Sequence, residues 1–253
     1  MPDEMSVTDI IRKSSNVGTA RLALMVTTPV FKEYLEALGL FAPLPVELSE
    51  AAGTQPLLPP QWSELSTMNI AFGHGIAVSP LHLASAYATL ANNGRRVVPS
   101  LRIGGSPDHP EVGRQVIAPR AAAQTLAMMR RVVTDGSGRR ADVPGFEIAG
   151  KTGTADKPYE DRPGYDHTRV IATFASVFPV SAPEYVLLVS MDEPTDRSGT
   201  HPSRQASRTA APAIAAAIRR IAPIIGFRPR IEIRGPDLAP GMPTVPATAG
   251  ARG

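Results

Sequence analysis

The amino-acid sequence predicts an α+β fold in which an antiparallel sheet is flanked by helices. Three observations carry this. Between residues 6 and 135 apolar residues recur at helical spacing behind recognisable caps. Between 146 and 192 three runs of β-branched and aromatic residues stand between Gly and Pro, and the last two runs are joined by only Pro179 to Glu184, short enough for a hairpin. At 253 residues the chain is long enough for one large domain or two small ones, and it shows no internal repeat.

Taken in order, Ser6-Val7-Thr8-Asp9 is a capping box that opens a short helix through Ile10 and Ile11 and delivers Ser14-Ser15-Asn16 at its end. Val17 to Met25 is again helical. A further helix runs from Pro29 at its first position to Gly39, with Phe31, Tyr34, Leu35 and Leu38 on one face. Leu40 to Trp62 is a long proline-rich loop, of a length that is often functional. Ser79-Pro80 caps a helix whose Leu81, Ala84, Tyr87, Ala88 and Ala91 form the expected buried stripe, stopped by Asn93-Gly94. A loop with Gly104, Gly105 and Pro107 leads to a helix from Pro119 to about Asp135-Gly136, with Leu126, Met129 and Val133 inward. Strands follow at Phe146–Thr154, Val170–Phe178 and Tyr185–Asp192, then an Ala-rich helix from Thr209 to Ile221. The expected domain is 1–228, and 229–253 reads as a disordered Pro/Gly-rich tail.

Composition narrows function by exclusion. Hydrophobic residues at 43% and charged residues at 19% exclude a wholly disordered, collagenous or coiled-coil chain, while 26 prolines predict interrupted elements. Without cysteine there is no disulfide framework or thiolate chemistry, and the five scattered histidines carry no metal-binding spacing, so neither metal nor cofactor is expected. The net charge of +3 comes mostly from dispersed arginines without interleaved aromatics, which argues against nucleic acid as a partner. No apolar run approaches the ~18 residues of a membrane span, and the acidic Met1-Pro2-Asp3-Glu4 is unlike a signal peptide; neither segment is expected in these residues.

Two features could carry chemistry: Ser14-Ser15-Asn16 at a helix end and Lys151-Thr152-Gly153-Thr154 on a strand. Each has a plainer reading, as a turn whose side chains bond local backbone or as a surface lysine beside a glycine bulge. Gly145 to Thr152 also fits the phosphate-loop pattern G-x-x-x-x-G-K-[ST] letter for letter. That pattern needs a loop and then a helix N-terminus, whereas Phe146–Ala149 alternates like a strand and Pro158 and Pro163 forbid a long helix. Nucleotide binding stays as an alternative.

Together the two features resemble the S-x-N and K-T-G motifs of the penicillin-binding proteins and serine β-lactamases. Neighbouring text sharpens this. Lys13 to Thr19, Phe72-Gly73-His74-Gly75 with Ser79-Pro80-Leu81-His82-Leu83-Ala84, Thr173-Phe174, Met191 to Pro194 and Ala210-Ala211-Pro212 resemble segments of the class B peptidoglycan transpeptidases, nearest the septal cell-division branch. The resemblance implies D,D-transpeptidation of D-Ala-D-Ala stem peptides in cell-wall synthesis, with β-lactams as ligands, divisome membrane proteins as partners, and a place at the periplasmic face of the inner membrane for the full-length protein. It implies that Ser14 relays a proton to the leaving amine, Asn16 bonds the nucleophile's lysine and the acyl chain, and Lys151 supplies a positive field. Thr152 or Thr154 would meet the terminal carboxylate, the Thr154 N–H would be an oxyanion donor, and Gly153 would let substrate lie against the strand.

The departures are as informative. Three residues before Lys13, Lys32, Lys151 and Lys157 stand Ile10, Pro29, Ile148 and Thr154, so there is no S-x-x-K, the family's nucleophile motif. The expectation is the C-terminal part of a transpeptidase, inactive alone, without the nucleophile helix, the first sheet strands or the membrane anchor, and with an unpaired sheet edge prone to association. A non-catalytic remnant that binds stem peptide or partner proteins is the alternative. His74 and His82 stand where the family tends to have glutamine and are expected to be hydrogen-bonding structural residues; Ser176 falls where glycine is common and is expected to crowd its strand.

Overall fold

The computed structural model describes residues 4–104 and 109–230. Its elements are α1 (Val7–Lys13), α2 (Asn16–Val26), α3 (Thr28–Ala37), α4 (Glu64–Ala71), α5 (Pro80–Ala91), α6 (Pro119–Asp135), β1 (Ala149–Pro158), β2 (Tyr165–Phe178), β3 (Tyr185–Asp192) and α7 (Ala210–Ile224), with short 3-10 turns at Ser49–Gly53 and Arg139–Ala141. Gly105, Pro107 and residues 231–253 of the expected tail lie outside the described residues. Pro229 and Arg230 are docked on the domain, the Arg230 N–H donating to the Gly145 carbonyl at 2.9 Å.

The three strands form one antiparallel sheet in the order β1-β2-β3. Alternation sends Ala172, Phe174 and Phe178 to one face and Ala175 and Val177 to the other. The first face is covered by α7, whose Ala210, Ile214 and Ile218 are fully buried against Phe174 and Ile148. Each such large side chain contributes roughly 1.5–3 kcal/mol by leaving water. The second face meets α5 and α6 through Leu90, Leu126 and Met129. The Ser14-bearing α1 does not touch this face itself but rests on α6, one layer further out. There the chain needs glycine, because a Cβ on Gly136 would stand 2.7 Å from the Arg12 carbonyl oxygen.

Other expectations shift for identifiable reasons. The first two strands run on past Thr154 and begin before Val170, pairing as far as Pro158 with Tyr165, with the register break at Asp156/Lys157 rather than beside Gly153. Helix α3 starts at Thr28, and α7 continues through Pro223 to Ile224. Helix α4 has no counterpart in the sequence reading, since its capping box closes with Ser66 where Glu or Gln is the usual sign; Ser63 and Ser66 cap each other reciprocally.

On α5 the expected apolar stripe faces inward only in part: Tyr87 and Ala91 pack against the core, but the deepest burial falls on other residues. Leu81 is exposed, and His82, Ser85, Thr89 and Leu90 face inward. Much of this face meets loop backbone, so it needs polar partners. His82 Nδ1 bonds Ser79 Oγ at 2.7 Å and Nε2 donates to the Ala42 carbonyl at 3.0 Å. Ser85 donates to the Val97 carbonyl at 2.7 Å, and the Val97 N–H donates to Thr89 at 3.0 Å. His82 is thus the structural residue expected. His74 differs, because its buried Nδ1 has no hydrogen-bond partner among the described residues and its ring sits between Phe72 and Tyr165, with centroids at 5.5 and 5.7 Å.

Candidate active site

The site is assembled from the end of α1, the start of α2 and the first half of β1. Helix α1 is capped by Ser6, whose hydroxyl accepts the Asp9 N–H at 3.1 Å, and it stops where Ser14 adopts a left-handed backbone with φ of 56°. A non-glycine residue rarely stays in that region unless its surroundings hold it. Ser15 then caps α2, accepting the Gly18 N–H at 3.2 Å. The plainer reading of the serine pair is therefore right for Ser15 and wrong for Ser14. The reversal at Ser14 turns Ser14 and Asn16 into one cleft and leaves Ser15 on the other side.

That cleft, of 480 Å³, is closed on its far side by Lys151, Thr152 and Gly153 of β1. Lys151 Nζ donates to Ser14 Oγ at 2.7 Å and to the Thr152 carbonyl at 2.8 Å. Lys151 is the only charged side chain among the described residues lining the cleft, and with no carboxylate there to hold its proton, desolvation lowers its pKa from 10.5 to about 8. Since Ser14 Oγ accepts from Lys151, the serine's own proton is free to point elsewhere.

The other strand residues divide by strand parity. Gly153 is exposed, and a Cβ there would meet nothing nearer than the Thr173 carbonyl oxygen at 4.0 Å. Gly150 is the reverse case: a Cβ would stand 2.4 Å from Cε1 of Phe174, so the glycine before the lysine makes room for a core ring. Ser176, its partner across the strands, is fully buried without crowding because its hydroxyl donates to the Leu187 carbonyl at 2.8 Å. The Thr152 and Ser137 hydroxyls bond at 2.9 Å. Thr154 Oγ1 accepts the Ala206 N–H at 2.9 Å, which leaves its proton available to an anion, but Thr154 does not line the cleft.

Sequence reasoning did not single out Thr19, Phe72 or Thr125, which also line the cleft. Thr19 could have been found as the residue one turn after Asn16 and Phe72 as the start of the Phe72-Gly73-His74-Gly75 segment; Thr125 carries no local signal. The phosphate-loop alternative fails here. Gly145 and Glu147 have φ of 87° and 46°, but Ala149 to Thr152 is already strand, and the next element is β2, not a helix whose N-terminus could hold phosphate.

Comparison with known proteins agrees with this geometry. The family model of the penicillin binding protein transpeptidase domain matches residues 1–218. The chain is 36% identical over 243 residues to the probable peptidoglycan D,D-transpeptidase FtsI of Caulobacter vibrioides, covering 90% of this chain and 40% of that protein. It is 32% identical over 194 residues to FtsI of Escherichia coli, covering 76% of this chain and 32% of that one. Among solved structures, penicillin binding protein 3 of Mycobacterium tuberculosis complexed with ampicillin superposes with a TM-score of 0.77 at 29% identity, over 91% of this chain and 53% of that one. The transpeptidase domain of penicillin-binding protein 3 from Burkholderia pseudomallei gives 0.77 at 27%, over 90% and 66%. The chain thus spans well under half the length of the curated relatives it matches. With the motifs at one cleft, the fold shared, and the family model matching residues 1–218, the chain belongs to the penicillin-binding protein transpeptidase family.

Proposed function

We propose that these residues form the proton-relay and carboxylate-binding walls of a serine-type peptidoglycan D,D-transpeptidase, acting on D-Ala-D-Ala stem peptides and accepting β-lactams in the same cleft. The observation that supports it best is the Lys151 Nζ to Ser14 Oγ contact at 2.7 Å, with Asn16 lining the same cleft. Acyl transfer breaks the D-Ala-D-Ala amide, and the departing D-Ala nitrogen must gain a proton. Ser14 accepts from Lys151 and can donate to that nitrogen, so the pair is a short relay. Lys151 also places positive charge where the terminal carboxylate would sit, and the Thr154 hydroxyl and N–H lie further along the same strand. In this sheet β1 is an edge strand, and the open surface at Gly153 admits a peptide as an added strand.

The 253 residues contain no S-x-x-K, so the serine that attacks the carbonyl is not among them, and the chain alone is expected to be inactive. The whole protein would work at the periplasmic face of the inner membrane with divisome partners. Among the described residues, no helix is long and apolar enough to cross a membrane. The missing motif also favours a second reading, a non-catalytic remnant that holds stem peptide in the same cleft.

Incubation with labelled penicillin is expected to give no covalent adduct. A peptide ending in D-Ala-D-Ala is expected to shield Lys151 from an amine-reactive label, while one ending in L-Ala-L-Ala does not. Absence of any shielding overturns the substrate assignment, and an adduct that survives denaturation overturns the claim that the nucleophile is missing. An in-frame S-x-x-K upstream of the Met1 codon favours the transpeptidase over the remnant.

A further inference from the structure

We propose that Ser137 is a positioning residue that couples the Ser14-Ser15-Asn16 turn to the Lys151-Thr152-Gly153 strand. It stands just past the C-terminus of α6, does not line the cleft, and belongs to neither motif. Its main chain and its side chain reach opposite walls. The Ser137 N–H donates to the carbonyl of Arg12, two residues before Ser14, at 3.2 Å. Its hydroxyl bonds the hydroxyl of Thr152, the residue after Lys151, at 2.9 Å.

The residues beside it reinforce the bracket. Arg12 Nη1 donates to the Asp135 carbonyl at 3.1 Å, and Gly136 brings its Cα close to the Arg12 carbonyl, where any Cβ would collide at 2.7 Å. Asp135, Gly136 and Ser137 therefore hold one turn of α1 from three consecutive positions. Beside the Lys151 to Ser14 bond, the Ser137 bond is a second direct hydrogen-bonded link from the α1 side to the strand. A lysine ammonium on four rotatable bonds cannot by itself fix the spacing of two walls. A hydroxyl pair joined to two backbones by single χ1 torsions can. The role in acyl transfer rests on the transpeptidase reading above; the coupling of the two motifs does not.

Lys151 itself reports on the coupling. Its pKa is lowered to about 8 by desolvation, and it lies in the cleft between the two walls, so a change in their spacing changes its exposure to water. Removing the hydroxyl link lets water reach Lys151, and its titration moves back up toward 10.5. The experiment is residue-resolved amine labelling of the 253-residue chain against pH, by mass spectrometry, with Lys13, Lys32 and Lys157 as internal references. Ser137→Ala is expected to raise the Lys151 labelling midpoint by about half a pH unit or more, and Ser137→Thr to restore it. Thr152→Val, which removes the other end of the bond, should shift it equally, and the double variant no further. An unchanged midpoint in Ser137→Ala overturns the proposal, as does an equal shift in Ser137→Thr. If Ser137→Ala does not fold, Thr152→Val decides by the same midpoint. Labelling of the wild type with D-Ala-D-Ala peptide separates the two ideas: no protection there sinks the substrate assignment and leaves the midpoint shifts to be judged alone.

Discussion

The two walls of the cleft are built to different standards. The strand that carries Lys151 belongs to a core in which α7 buries Ala210, Ala211, Ile214, Ala215, Ile218 and Ala222 against the sheet. The turn that carries Ser14 and Asn16 belongs to helices that bury little: Ile10 alone on α1, Ala23 alone on α2, and no residue on the following α3. Met25 is 80% exposed, Leu24, Val26 and Leu65 are exposed as well, and a cavity of 920 Å³ opens beside α1 and α2, lined by Met5, Val17, Leu22 and Met25. A site whose lysine wall is self-supporting and whose serine wall is not depends on the few bonds between them. This is why the link through Ser137 carries weight out of proportion to its size.

The contrast is sharpest in the cost of truncation. Phe174→Ala is expected to destabilise the chain by about 3–5 kcal/mol, because the ring is fully buried between β1 and α7. Met25→Ser should stay within about 0.5 kcal/mol. Urea unfolding of both measures the gap, and comparable losses would show that the helical wall is as well packed as the sheet.

Two glycines three residues apart test the lysine wall from both sides. Gly150→Ala is expected to cost about 1–3 kcal/mol, since the new methyl meets Phe174 and the Ala175 carbonyl. Gly153→Ala meets only open space and should fold as the wild type does, yet lose the D-Ala-D-Ala peptide's shielding of Lys151. Thermal melts and the labelling assay separate the two effects. A Gly153→Ala chain that still shields Lys151 would move the peptide off this strand.

Lys151 brings a pH signature. Its folded pKa of about 8 lies below its unfolded value of 10.5, so between those values the unfolded chain binds more protons and stability rises with pH. Below about 8 both states are protonated and the full cost of burying the charge remains. Lys151→Met is therefore expected to stabilise the chain on the order of 1–2 kcal/mol at pH 7, with the gain shrinking as pH rises toward 10.5. A gain that does not depend on pH would show that Lys151 is not desolvated.

A modest effect is expected in the loop before α7. Arg140 lies 3.6 Å from Asp196, which accepts hydrogen bonds from the Ser198 hydroxyl and N–H and from Arg208 at 2.9 Å; these hydrogen bonds hold its carboxyl well below the usual carboxylate range. Its contribution is present above that range and is lost as pH falls through the depressed value. Asp196→Asn should lower the melting temperature modestly at pH 7 and converge with the wild type in strong acid. A constant offset at every pH would assign the effect to packing.

Much of this was legible in one dimension. Ser6, Ser79 and Pro119 mark helix starts through local bonds or a fixed φ, and the runs around Lys151, Phe174 and Val189 announce strands by residue type alone. The S-x-N and K-T-G spacings were readable too, because each motif is local: one is a helix stop followed by a cap, the other consecutive residues of a strand. Pro158 and Pro163 counted against the misleading phosphate-loop match, but only the strand from Ala149 and the β2 that follows it removed it.

Other features depend on distant partners and leave no local trace. Apart from the S-x-N resemblance, nothing near Ser14 says that it, and not Ser15, meets Lys151; the contact itself follows from the left-handed turn and from where β1 lies 137 residues on. The polar face of α5 looks wrong for burial until the backbone at Ala42 and Val97 supplies its partners. Ser137 is an ordinary turn residue until its N–H and hydroxyl are seen to touch Arg12 and Thr152. Caps, strand propensity and motif spacing are set by interactions within a few residues and can be read in order along the chain. The two walls of the cleft, and the bond that spaces them, form only where segments far apart in sequence are brought within 3 Å by the packing of α1 on α6 and of α6 on the sheet.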